Sequence, residues 1–325
     1  MTKPQYGFRE GDPLSLWQAI KSGKAFKMLL KGEIPERFRS WEEIVKYNRK
    51  FFFRCIHKTP PIACEKSAKV SIHSLVCHMD LEMYLLAVKS FLRFYPKVQI
   101  IAHSDSSLSA DDITKLRKHI PNIDVIDETN KLWQHSLNRV KNDFVAKGHS
   151  NLLLIKLFLP FFCKSERLII LDTDIIFINR PDEVISWIEN NSQHLTPLYN
   201  KDKYDTLRDA KTSLMKEFNI SELPPNLNSG FICMQNDVTK MEFERLLKIS
   251  INYTDSNIDK GDQTIFHILL AKRNAQPLSK DHYNIFDGYK IPKQAKMIHF
   301  PTHVRFKKGY YLKLARKLCH QFKIE

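Results

Sequence analysis

From Val70 onward, short apolar runs of strand length alternate with stretches whose apolar positions recur at helical spacing. Val70-Ser-Ile-His-Ser-Leu-Val-Cys77 reads as a strand, and Leu81 to Phe94 as a helix with Leu85, Val88 and Leu92 on one face. Val98 to Ala102 is a second strand. Ser109-Ala-Asp-Asp112 caps a helix containing Ile113, Leu116 and Ile120, and Ile123 to Ile126 forms a third strand. Strands that alternate with helices at this spacing specify an α/β fold built on a mostly parallel, doubly wound sheet flanked by helices. Ligands on such sheets bind beyond the carboxyl ends of the strands.

Before Val70 the pattern is helical and basic, which predicts an N-terminal helical extension over residues 1–69 and a main domain over residues 70–325. Pro13 to Leu30 forms one helix, and Ser40-Trp-Glu-Glu43, a capping-box pattern, opens a second that runs toward His57. Thr59-Pro60-Pro61 ends it. Phe51, Phe52 and Phe53 stand among Arg49, Lys50, Arg54 and Lys58. That arrangement suits either a membrane-surface element or an extension that packs its aromatics on the main domain, and the second is favoured.

Downstream, Asn151 to Phe162 reads as an apolar helix carrying one cation, Lys156, followed by the apolar run Arg167 to Leu171. Arg180-Pro181-Asp182-Glu183 begins another helix, with proline and acids in its first turn. Residues 190–226 are polar and read as a long loop. Leu227 to Met234 returns to strand, residues from Asp237 onward are helical, and Gly261-Asp262-Gln263 opens a helix through Leu270. Met297 to Phe300 is a last short strand before a basic tail.

Composition narrows the partners. The chain of 325 residues carries a formal net charge of +15, which attracts polyanions non-specifically, yet no zinc-finger spacing or RNA-binding signature accompanies it. Specific nucleic-acid binding is therefore not expected. The 9 glycines leave little scope for a Gly-rich phosphate loop. The six cysteines form no CxxC pairs, which fits a reducing compartment. The first residues lack the apolar core of a signal peptide, and no run reaches the ~20 apolar residues of a membrane span. The expectation is a cytoplasmic protein, with peripheral contact to anionic membrane open to its basic ends.

The strand Arg167-Leu-Ile-Ile-Leu171 stops at Asp172-Thr173-Asp174 and resumes at Ile175-Ile-Phe177. Burying two carboxylates beside apolar neighbours is costly without a compensating cation. Hard oxygen ligands at i and i+2 suit Mg2+ or Mn2+, which bridge diphosphates. A solvated turn is the bland alternative, and the strand context argues against it.

On these residues the chain resembles the GT-A-fold glycosyltransferases, most closely the glycogenin/galactosyltransferase-like family 8, over roughly residues 70–306. Leu171-Asp172-Thr173-Asp174 is similar to that family's DxD, which holds Mn2+ on the phosphates of a nucleotide sugar. Leu227-Asn228-Ser229-Gly230 is similar to its LNSG run beside the donor sugar. Asp262-Gln263 matches its D-Q at a helix start near the reacting carbon; a helix N-cap also explains Asp262. His299 falls where the family's HxxGxxKPW supplies a third metal ligand, with His303 as rival. In that segment Thr302 replaces the Gly, Arg305 replaces the Lys and Pro-Trp is missing. Lys156 falls where the family usually has an Arg of a Tyr-Arg pair, while a snorkelling lysine is the structural reading. Cys77-His78-Met79-Asp80 stands in place of the family's base-contacting acid.

The resemblance implies a hexosyl- or pentosyltransferase that moves a sugar from a nucleotide-sugar donor, a UDP-sugar by family pattern, to a glycan, lipid-linked glycan or protein acceptor with retention. It assigns Asp172, Asp174 and His299 to the metal, and Lys156, Thr173 and Arg305 to the donor with Asp172 and Asp174. Asn228, Asp262 and Gln263 fall to the reacting sugar. Two alternatives stay open on the sequence. One is a haloacid-dehalogenase-like phosphohydrolase with Asp172 as nucleophile; the other is a GT-A-like binding module that has lost catalysis.

Overall fold

The computed structural model describes residues 41–143, 152–205, 207, 210–239, 241–246 and 261–324. The helix expected over Pro13 to Leu30 and the capping Ser40 lie outside these residues.

Two short helices, α1 (Trp41–Tyr47) and α2 (Arg49–Phe53), and a 3-10 turn (Arg54–Lys58) replace the single helix expected toward His57. The alternating region then follows as β1 (Val70–Val76), α3 (Leu81–Leu92), β2 (Gln99–Ser104), α4 (Ala110–His119), β3 (Asp124–Ile126) and α5 (Lys131–Asp143). Helix α4 starts where the sequence places it. The Ser109 side chain accepts from the Asp112 N–H at 3.2 Å, and the Asp112 carboxylate accepts from the Ser109 N–H at 2.9 Å.

The apolar stretch around Lys156 is a 3-10 segment (Leu152–Phe158) running into the single turn α6 (Leu159–Phe162). Pro160 at the start of that turn lacks the N–H that a continuous α-helix would need. Then come β4 (Arg167–Leu171), β5 (Ile175–Phe177), α7 (Asp182–Glu189), β6 (Leu198–Lys201), α8 (Ala210–Phe218) and β7 (Leu227–Gln235). Residues 190–226 are thus not one loop. Strand β6 has four residues, too few for a clear alternation, and pairing with β7 defines it. The last elements are α9 (Gly261–Ala271), β8 (Gln276–Pro277), β9 (Tyr283–Ile285), β10 (Met297–His299) and α10 (Tyr310–Gln321). The basic tail is therefore a helix, and it buries Tyr311, Leu312, Ala315, Leu318 and Cys319 on one face.

The main sheet runs in the order β3-β2-β1-β4-β7-β6-β8. Neighbours β3, β2, β1 and β4 are parallel, and β7 alone is antiparallel to both β4 and β6. Alternation along β4 divides the core in two. Ile169 and Leu171 join a cluster with Ile72, Ile100, Phe231 and Cys233, whereas Leu168 and Ile170 join one with Ile232, Met234 and Tyr199. Helices α3 and α10 cover the first face, and α5 and α9 the second. Helices α1 and α2 and the 3-10 turn share the first cluster through Val45, Phe53 and Ile56, and the Phe53 ring meets Tyr311 edge-on at 5.1 Å.

A second, three-stranded sheet, β5-β10-β9, stands at the carboxyl end of β4. It sets what lies beside the acidic pair.

Candidate functional site

Backbone pairing brings the acidic pair and His299 together. Strand β4 leaves the sheet at Leu171, and the Asp172 N–H extends the ladder by donating to Gly230 O at 2.8 Å. Three residues on, β5 pairs antiparallel with β10 in a register that sets His299 opposite Ile175. The Phe300 N–H donates to Asp174 O at 3.0 Å and closes the pair beside the carboxylate. Asp172, Asp174 and His299 consequently each offer a ligand atom within 4.8 Å of the other two.

Cations surround this cluster. Lys156 Nζ lies 2.6 Å from Asp172 Oδ1 and 3.8 Å from Asp262 Oδ2, and it is buried. It is an internal charge facing two carboxylates, not a snorkelling lysine. Arg305 Nη2 donates to Asp174 Oδ2 at 2.5 Å, and its Nη1 lies 3.9 Å from Asp80 Oδ1. Asp80 also receives Arg49 from α2.

Burial by itself raises the Asp174 carboxyl, but Arg305 and His299 outweigh it and hold that group below the usual carboxylate range. Burial would likewise neutralise the His299 imidazole, and the Asp174 and Asp172 carboxylates reverse this and push it up. Asp172 goes the other way: burial and the nearby Asp174 charge raise it against the pull of Lys156. Its side chain is a quarter exposed, so water tempers that rise.

These donors fit a divalent cation. His299 Nε2 lies 3.2 Å from Asp174 Oδ1, but the pair is not aligned as a hydrogen bond. Asp174 Oδ1 and His299 Nδ1 are both buried without a hydrogen-bond partner. A buried oxygen and nitrogen without partners are expensive unless something else coordinates them. Room for the imidazole depends on Gly230, where a Cβ would stand 2.5 Å from His299 Cε1 and 2.9 Å from Asn228 Oδ1.

The other expected residues line the same region. Asn228 Oδ1 accepts from the Gly230 N–H at 2.9 Å, and its amide donates to Asp202 Oδ2 at 3.2 Å. Asp262 accepts from Ser229 Oγ at 2.8 Å, and Gln263 donates through Nε2 to Leu227 O. The start of α9 is therefore fastened to the start of β7. Thr173 is buried in the turn between β4 and β5. The rival ligand His303 is exposed and lies outside the cluster.

The sequence gives Arg49, Asp202 and Ser229 no site role of their own. Ser229 lay within the LNSG run, and Asp202 follows a strand too short to show. No local pattern marks Arg49, whose partner Asp80 is distant in the chain. Asp80 had a usable signal, its place just beyond the carboxyl end of β1.

Curated protein sequences include no match. Among solved structures, the galactosyltransferase LgtC in complex with donor and acceptor sugar analogs superposes with a TM-score of 0.54 at 13% identity, over 77% of this chain and 95% of that one. The glycosyltransferase GlyE of Streptococcus pneumoniae gives 0.51 at 12% identity, over 80% of this chain and 61% of that one. At such identities the likeness concerns the fold, which is that of GT-A glycosyltransferases. Among the described residues no helix is long and apolar enough to cross a membrane. The model of glycosyl transferase family 8 matches residues 47–306, and by that match the chain belongs to this family of glycosyltransferases.

Proposed function

We propose that the chain transfers a sugar from a nucleoside-diphosphate sugar, by family pattern a UDP-sugar, to an acceptor with retention of anomeric configuration. The observation that carries this reading is the buried Asp172–Asp174–His299 cluster at the carboxyl end of β4 in a family 8 chain. These three residues would hold a divalent metal, Mn2+ in preference to Mg2+ because an imidazole joins the carboxylates. When bound, the metal supplies Lewis-acid charge to the departing diphosphate.

The chain's own groups account for the rest. Lys156 and Arg305 are the preorganised cations of the site and stand ready for diphosphate charge. Arg305 takes the place of the family's lysine and adds a planar fork that also reaches toward Asp80. Asn228, Asp262 and Gln263 are the polar groups assigned to the donor sugar, and the bonds from Ser229 to Asp262 and from Gln263 to Leu227 O hold two of these side chains at the junction of β7 and α9. LgtC was solved with a sugar acceptor analog, which favours a glycan as the acceptor class.

The phosphohydrolase alternative expects its nucleophile near the start of the domain, whereas Asp172 follows three βα units. The family match also stands against it.

A thermal-shift series with nucleotides and nucleotide sugars, with and without Mn2+, tests the proposal, because a ligand of the native state raises the melting temperature. Mn2+ is expected to raise it in the wild type but not in Asp172→Asn/Asp174→Asn. A uridine diphosphate sugar is expected to add to the shift only when Mn2+ is present. Turnover of that sugar should vanish with a chelator and return with Mn2+. Undiminished turnover in the double variant would remove the metal assignment, and binding without turnover would favour the non-catalytic module.

A further inference from the structure

Cys55 and Cys319 lie 264 residues apart in the chain, yet their Sγ atoms are 2.7 Å apart. Cys55 sits in the 3-10 turn Arg54–Lys58, and Cys319 lies near the end of α10. Packing that does not involve sulfur holds the two segments in place. Phe53 meets Tyr311, Lys89 stands over the Phe322 ring at 5.4 Å, and Arg93 Nη1 donates to Gln321 Oε1 at 2.8 Å. Among the described residues no other two cysteine sulfurs are in contact. Cys64 and Cys163 instead face backbone carbonyls.

Chemistry separates the two thiols. Cys55 is half-buried and reachable, whereas Cys319 is buried. The Cys319 hydrogen bond brings the Cys55 thiol down to about 7 and, against the effect of burial, Arg316 and Lys323 support the thiolate. The same contact and burial push Cys319 up.

We propose that Cys55 and Cys319 are a redox pair that closes into a disulfide, joining the extension to the carboxyl-terminal helix. The co-reactant is a small-molecule disulfide such as oxidised glutathione. The Cys55 thiolate attacks one of its sulfurs, breaks that S–S bond and expels one glutathione thiolate, which takes up a proton. Cys319 then loses its proton and attacks the Cys55 sulfur of the mixed disulfide, releasing the second glutathione. Two protein thiols are oxidised and one glutathione disulfide is reduced to two thiols. Reaching a bond of about 2.05 Å from the present separation needs a movement well under one ångström. The bond would link the segment that carries Arg49 to the one that follows Arg305, and both arginines approach Asp80.

The test uses the full chain, incubated with oxidised glutathione, blocked with a maleimide under denaturing conditions and digested without reductant. Mass spectrometry is expected to find the Cys55 and Cys319 peptides joined and Cys64, Cys77, Cys163 and Cys233 alkylated. Alkylated Cys55 and Cys319, a lasting glutathione adduct on Cys55, or Cys55 bonded to any other cysteine would overturn the proposal. The oxidised wild type is also expected to melt several degrees above the reduced form, since the bond restricts the unfolded chain. Cys55→Ser should melt at one temperature in both states; an equal oxidation-dependent shift in that variant would refute the pairing.

Discussion

At Gly230 the absence of a side chain leaves space that His299 occupies. A methyl group there would fall 2.5 Å from His299 Cε1, inside any normal contact, and 2.9 Å from Asn228 Oδ1. Neither neighbour can withdraw cheaply, because His299 is held by the β5–β10 pairing and Asn228 lies in β7. Gly230→Ala is therefore expected to displace the imidazole and lower metal affinity at least tenfold, while far-UV circular dichroism stays that of the wild type. Titration of the melting temperature with Mn2+ reads this directly, and wild-type affinity in the variant would contradict it. Arg305 poses the opposite problem, since it balances a buried charge. Removing one partner of such a pair strands the other, at a cost of about 3–5 kcal/mol. Urea unfolding of the metal-free Arg305→Ala protein should show a loss of that order. Arg305→Lys should recover only part of it, because a single ammonium lacks the fork that reaches from Asp174 toward Asp80.

Among the elements, α4 offers the plainest test of local encoding. Its capping box joins side chain and backbone in both directions between Ser109 and Asp112, so Ser109→Ala should cost about 1 kcal/mol in urea unfolding and leave turnover unchanged. A variant as stable as the wild type would mean that the cap is redundant. The same local character explains what could be read from the sequence. Strands β1, β2, β3, β4 and β7 announce themselves through their apolar stretches, and the helices between them through period and caps. Strands β6 (Leu-Tyr-Asn-Lys), β8 (Gln-Pro) and β9 (Tyr-Asn-Ile) carry no apolar run, so long-range pairing and not their own pattern defines them. The conspicuous charges of α10 make it look like a basic tail in the sequence, although Tyr311, Leu312, Ala315 and Leu318 carry the helical period. In the site, the acidic pair was legible because it ends an apolar strand, and His299 through its likeness to the family's HxxGxxKPW segment. The Arg49–Asp80–Arg305 contacts were not, since they join three distant segments through long side chains whose direction no local pattern states.

Over the whole molecule, histidines buried in the neutral form are expected to govern the loss of stability in mild acid. Burial pushes His73 down to about 3 and His267 down to about 4. It also lowers His119 to about 4, helped by the Lys89 charge, and His103 well below its ordinary value. His267 shows why a proton is unwelcome. Its Nε2 accepts from the Leu227 N–H at 3.3 Å, and its Nδ1 lies 2.8 Å from Gln263 O, so one ring nitrogen must stay bare. A second proton would set N–H against N–H at the junction of β7 and α9. In the unfolded chain these histidines titrate near 6.5, above their folded values. Between about pH 6.5 and 4 the unfolded state therefore binds more protons, and stability falls as the pH falls. The slope is about 1.4 kcal/mol per pH unit for each histidine, and the full contribution is present above about 6.5. The net charge of +15 adds self-repulsion of the same sign, but salt screens repulsion between exposed charges far more than it alters buried rings. The urea midpoint should drop between pH 7 and 5 and keep most of that drop in high salt; a midpoint that becomes flat once salt is added would assign acid sensitivity to surface charge instead of to the buried histidines.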